Sequence, residues 1–91
     1  MSNVMPGGWS SFSWELTEKD KRVFEEAKKK IVGVDYTPYA AATQVVAGTH
    51  YCFICRGVYV LADLLEMAAK VYVYQPLSGD PQITQIVEIK P

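Results

Sequence analysis

The sequence predicts an α+β fold in which one N-terminal helix packs across a four- to five-stranded antiparallel sheet. Three observations carry this expectation. Residues 10 to 30 hold six basic and five acidic side chains, more than half of the charge in the chain, interleaved with apolar residues at helical intervals. Beyond Gly33 the pattern changes to tyrosine-rich, β-branched segments, which favour strands. Two groups of turn residues, AG at 47–48 and QPLSGDP at 75–81, divide those segments into strand-length pieces.

The helix is the best-marked element. Leu16, Val23, Phe24, Ala27 and Ile31 gather on one stripe and leave Lys21, Glu25, Lys28 and Lys29 largely toward water. Thr17 and Asp20 have the spacing of a capping box, and Gly33 supplies an exit. Acidic residues sit early and Lys28 to Lys30 late, matching the two ends of the helix dipole. The strands follow. Ala40 to Val46 is expected to pair with Thr49 to Arg56 across a turn in which Gly48 takes the positive φ that Ala47 would resist. Lys70 to Gln75 is expected to pair with Gln82 to Lys90 across the second turn. A stretch before the helix is a candidate for an additional edge. Residues 58–69, VYVLADLLEMAA, fit either a strand that runs on or a short helical crossover, and the helical spacing of Leu61, Leu64, Leu65 and Ala68 favours the crossover.

Composition narrows the function. Ninety-one residues leave no room for a doubly wound nucleotide-binding enzyme. Nine Lys plus Arg against ten Asp plus Glu give a net charge of -1, so no polybasic surface is expected for nucleic acid or an anionic membrane. The first residues do not read as a secretory signal, and no stretch approaches the roughly 20 apolar residues of a transmembrane helix. A cytoplasmic protein, with no cofactor and no metal, is the expectation.

Little in the chain announces catalysis. The single histidine, His50, follows the first turn and reads as a structural or surface-contact residue rather than a chemical group. No glycine-rich segment has the spacing and lysine of a phosphate loop. Cys52 and Cys55, in CFIC, resemble a redox pair, but a strand places positions three apart on opposite faces, out of disulfide reach. The same geometry weakens a zinc site on the two thiols. Asp63 and Glu66 are read as a solvated acidic pair. A pocket enzyme built around His50 or buried carboxylates is the weakest alternative.

The most specific signal is QVVAG, Gln44 to Gly48, followed by THYCF. With MPGG at Met5 to Gly8 and VYVYQPLSGDP at 71–81, it resembles the cystatins, specifically the intracellular stefins, whose three motifs occur in the same order. The resemblance extends over nearly all 91 residues. It departs at His50, where the commoner residue is asparagine, at Ser78, where stefins carry a proline, and in a longer, less charged 57–69 connection.

The resemblance implies a single cystatin-like domain over residues 1–91, with a flexible N-terminal trunk over about 1–9. It implies a reversible, noncovalent inhibitor, not an enzyme, that binds a papain-like cysteine protease one to one. In that family a trunk and two hairpins fill the protease cleft on both sides of the catalytic cysteine and offer no carbonyl positioned for cleavage. Carried over by motif, Gly7 and Gly8 form the trunk hinge, Gln44, Val45, Val46, Ala47 and Gly48 the central loop, and Pro76, Leu77 and Ser78 the second loop. Trp9 either covers the helix and sheet or joins the trunk contact. The alternative is a cystatin-like module that binds another protein or itself through Val58, Val60 and Leu61. Exchange of hairpins between two copies, hinged at Val45, Val46 and Gly48, would give a domain-swapped dimer.

Overall fold

In the computed structural model, which describes residues 8–91 without the side chains of Asp63 and Leu64, α1 spans Glu18–Lys28. Gly7 and the residues before it, including most of the expected trunk, lie outside the described residues. The helix starts where its cap dictates. The Asp20 amide donates to Thr17 Oγ1 at 3.0 Å, and the Thr17 amide donates to Asp20 Oδ2 at 2.9 Å, satisfying two amides that the first turn leaves without helical partners. After Lys28 the chain tightens, with the Ile31 amide on the Lys28 carbonyl, and Gly33 turns it at φ +91°.

Four strands follow as a meander in the order β1-β2-β3-β4, every neighbouring pair antiparallel: β1 (Val34–Val46), β2 (Gly48–Tyr59), β3 (Ala62–Gln75) and β4 (Gln82–Ile89). One helix packed against a four-stranded antiparallel sheet is a cystatin-like arrangement. The helix buries Val23, Phe24 and Ala27 on a sheet face built from Tyr36, Ala41, Tyr51, Phe53, Cys55, Ala69, Val71 and Val73. Phe24 meets Phe53 edge to face at 4.9 Å between ring centres, and Tyr51 stacks on Phe53 at 5.5 Å. Leu16 and Ile31, the ends of the predicted stripe, pack at the rim.

Tyr36 and Ala41 lie on the same face although five positions apart, which strict alternation forbids. A bulge reconciles them. Pairing with β2 skips Tyr39 between Pro38 and Ala40, and Pro38, which has no amide to donate, sits at this irregularity. Gly57 lies opposite Tyr36, where a Cβ would meet Met67 Sδ at 2.7 Å and Val34 Cγ1 at 2.9 Å.

The helical crossover expected within residues 58–69 is not formed. β2 and β3 instead join at a tight turn through Val60 and Leu61, and pairing is continuous from Val58↔Glu66 to Thr49↔Gln75. An antiparallel neighbour needs only such a turn, whereas a crossover serves parallel strands. Two further bonds hold the hairpin. The Val60 amide donates to the Gly33 carbonyl at 3.0 Å, tying the tip to the helix exit, and Arg56 Nε donates to Glu66 Oε1 at 2.6 Å across the strands. The helical spacing of the leucines is overridden by cross-strand pairing, in which Met67, Ala69, Val71 and Val73 alternate into the core.

The stretch before the helix does cover an edge, as two isolated bridges to β1, Trp9↔Gln44 and Ser13↔Ala41. No helix among the described residues is long and apolar enough to cross a membrane.

Candidate functional site

The first hairpin is closed by geometry that glycine alone tolerates. Val46 pairs with Gly48, leaving Ala47 at the tip, and Gly48 has φ +99°. A Cβ on Gly48 would lie 2.6 Å from the Gln75 carbonyl oxygen and 2.8 Å from the Tyr74 hydroxyl. Both its conformation and its space are therefore reserved. The Tyr74 hydroxyl donates to the Ala47 carbonyl, so the tip is held by β3 as well as by its own strands. At the base, His50 pairs with Gln44 on one side and Tyr74 on the other, its ring 4.7 Å from the Tyr74 ring. Val45 and Val46 project from this frame, 57% and 43% exposed.

The second loop adjoins the first because Gln75, where it begins, pairs with Thr49. The Gln75 side-chain amide donates to the carbonyls of Pro76 (3.0 Å) and Gly79 (2.9 Å), and Gly79 takes φ +110° to complete the turn. Pro81 is buried behind it, while Leu77 stands 84% exposed at the tip. On the opposite flank, Trp9 bridges to Gln44 and brings Gly8, half-buried, to the first hairpin.

Three segments distant in sequence thus meet at one end of the sheet in the spatial order Gly8–Trp9, Gln44–Gly48, Pro76–Ser78. Of the residues proposed from sequence, Gly8, Gln44, Val45, Val46, Ala47, Gly48, Pro76, Leu77 and Ser78 are gathered here; Gly7 lies outside the described residues. No Asp, Glu, Lys or Arg occurs from Thr43 to Tyr51 or from Val71 to Gly79.

Neither a protein-family model nor a curated protein sequence matches this chain. The site's chemistry must be argued from its residues. What they offer is backbone, small groups and exposed branched apolar side chains on a hydrogen-bonded frame.

The remaining candidates fall elsewhere. Cys52 and Cys55 are free thiols on opposite faces of β2. Cys55 belongs to the core beneath the helix, where burial pushes its thiol up to about 12. Cys52 lies on the other face, at the floor of a recess of about 190 Å³ walled by Trp9, Phe12 and Tyr72, and its thiol is also raised by burial. Glu66 is exposed and paired with Arg56, whose hydrogen bond and charge lower its carboxyl below the ordinary range. No group of three or more His, Cys, Asp or Glu among the described residues is arranged to hold a metal ion.

Sequence reasoning overlooked Tyr74, Gln75 and Ser10, which frame the loops. The alternation in VYVYQ puts Tyr72 and Tyr74 on one face, but only the β2–β3 register, hidden by the expected crossover, shows that Tyr74 reaches the first hairpin. Trp9 settles on the face opposite the helix, its ring edge to face with Tyr72 at 6.1 Å.

Proposed function

We propose that this protein is a reversible, tight-binding inhibitor of papain-like cysteine proteases, seated in the active-site cleft by the trunk at Gly8 and by the two loops. The reading rests on one observation: the trunk root, the Val45–Gly48 hairpin and the Leu77 loop lie side by side at one end of the sheet. Their ordering cost is largely met in the free protein, because Tyr74 and Gln75 already hold both loops. Val45, Val46 and Leu77 supply apolar area to bury, at roughly 25 cal/mol per Å². A loop surface whose single formal charge is Asp80 makes shape and apolar contact the main terms and electrostatic steering a minor one.

The test is titration of active-site-counted papain with the purified protein. One-to-one, saturable inhibition that leaves QVVAG uncleaved is expected. Absence of binding in both activity and calorimetric titrations, across papain and several cathepsins, would sink the reading.

A second reading, a cystatin-like module that binds a protein or itself, draws on the opposite end of the sheet. Leu61 is fully exposed at the β2–β3 tip and Val32 is 91% exposed near the helix exit. Light scattering during size exclusion separates the two. A stable dimer dispersed by Leu61→Lys favours the module; a monomer that titrates papain favours the inhibitor.

A further inference from the structure

The bonds at the root of the trunk depart from an ordinary strand pair. The Ser10 amide donates to the Thr43 carbonyl at 2.8 Å, as a paired strand would. The return bond is different: the Thr43 amide donates to Ser10 Oγ at 2.9 Å, where a regular antiparallel pair would use a backbone carbonyl. The same hydroxyl donates to the Ser11 carbonyl at 2.9 Å. A side chain thus replaces the backbone acceptor, and the pairing register shifts by one residue between Trp9↔Gln44 and Ser13↔Ala41 while both backbone polar groups of Thr43 stay satisfied. Three residues on, Ser13 resumes regular exchange with Ala41.

The indole of Trp9 lies on the face opposite the helix, edge to face with the Tyr72 ring and walling the same recess as Cys52. Tyr72 is the β3 partner of Cys52, and Cys52 is the β2 partner of Ala42, so the recess that the indole walls spans three paired strands, and its ring contact reaches β3. Trp9 also bridges directly to Gln44, the first residue of the central loop motif. The trunk root and the hairpin are therefore one mechanical unit.

We infer that Trp9 and Ser10 form a latch that fixes the direction in which the trunk leaves the sheet, with Tyr72 as its seat. This rests on the inhibitor reading and deepens it. Trp9, Ser10 and Tyr72 act as positioning residues, since each works by holding Gly8 beside the hairpin. Without the latch, the root would be ordered only when the protease binds, and that ordering would oppose binding. Freeing about one residue is worth about tenfold in affinity, expressed mainly in the dissociation rate.

The full-length protein tests this with two measurements, dissociation from papain and hydrogen exchange at the Thr43 amide of the free protein. Trp9→Ala and Tyr72→Ala should each speed dissociation about tenfold. The double variant should be no worse than either single one, because both remove the same contact. Trp9→Phe, which keeps a ring on Tyr72, should stay within about twofold of the wild type. The Thr43 amide should exchange faster in the two alanine variants and in Ser10→Ala, with the phenylalanine variant again near the wild type. Additive effects, or faster dissociation with unchanged Thr43 exchange, would overturn the latch by showing direct or independent contributions. Unchanged dissociation in both alanine variants would overturn it too. A wild-type protein that does not bind papain removes the inhibitor reading and the latch's role in it, whereas a wild type that inhibits with additive variants removes the latch alone.

Discussion

The hydroxyl of Tyr74 donates to the carbonyl of Ala47, joining the third strand to the tip of the hairpin between the first two. Tyr74→Phe removes only this bond, leaving its ring against His50. A loss of about 0.5–1 kcal/mol is expected, toward the lower end because the bond is exposed. Thermal unfolding should shift down by a few degrees, about 4–8 °C per kcal/mol for a domain of this size. Dissociation from papain should quicken, since the tip would then be ordered less by the free protein. An unchanged midpoint would deny the bond a structural role.

Gly48 and Gly33 both have positive φ, at +99° and +91°, but only Gly48 is crowded. Gly33→Ala should cost about 1–2 kcal/mol, the conformational penalty alone, because nothing lies within 4 Å of the added carbon. Gly48→Ala adds a clash with the Gln75 backbone and should cost about 3 kcal/mol or more. Urea denaturation of the two variants checks the difference. Equal losses would mean that the hairpin moves aside freely, contrary to its tie to β3.

How far the fold could be read from the sequence depends on how local its cause is. The helix was legible because its cap, its stripe and its exit each lie within a few residues: Thr17 with Asp20, Val23 with Phe24 and Ala27, and Gly33. The first turn was legible because Gly48 alone could take its backbone angle. Residues 58–69 were not, since their leucines satisfy a helix as well as a strand and only pairing with β2, up to 14 positions away at Cys55↔Ala69, decides. The bulge at Tyr39 was hidden for the same reason. At the site, the exposed loop residues carried motifs, whereas Tyr74, Gln75 and Ser10, which hold them, act through contacts that sequence spacing does not reveal.

The two cysteines face different surroundings and should behave as inert thiols in the folded chain. At pH 8 neither Cys52 nor Cys55 should react with a thiol reagent on a timescale of minutes, and both should react at once in denaturant. Cys55 also makes stability depend on alkaline pH. Its folded value is about 12, above the ordinary thiol value of 9.0, so the unfolded chain gives up this proton first. The contribution is complete below about pH 9 and is lost as pH rises toward 12. The buried hydroxyls of Tyr36 and Tyr51, also raised by burial, act in the same direction. Denaturation midpoints followed from pH 8 to 11 should fall, and fall less steeply in Cys55→Ala. Equal slopes in the two proteins would remove Cys55 from the account.

Val45, Val46 and Leu77 should separate binding from stability. Each is exposed and outside the buried core, so truncation to alanine should change stability by no more than about 0.5 kcal/mol. In the protease cleft the same side chains would be covered. Each valine truncation removes two methyl groups and should weaken inhibition about fivefold; Leu77→Ala should weaken it about tenfold. Because Asp80 is the single formal charge along the two loops, the association rate should vary little with salt, by less than about threefold between 20 and 500 mM. Paired thermal melts and papain titrations measure the first contrast, and stopped-flow association measures the second. Weakened inhibition matched by equal loss of stability would assign these residues to the fold. A steep salt dependence would move the driving force to charges such as Asp80 in the second loop and Lys70 on β3, and shape would no longer explain binding.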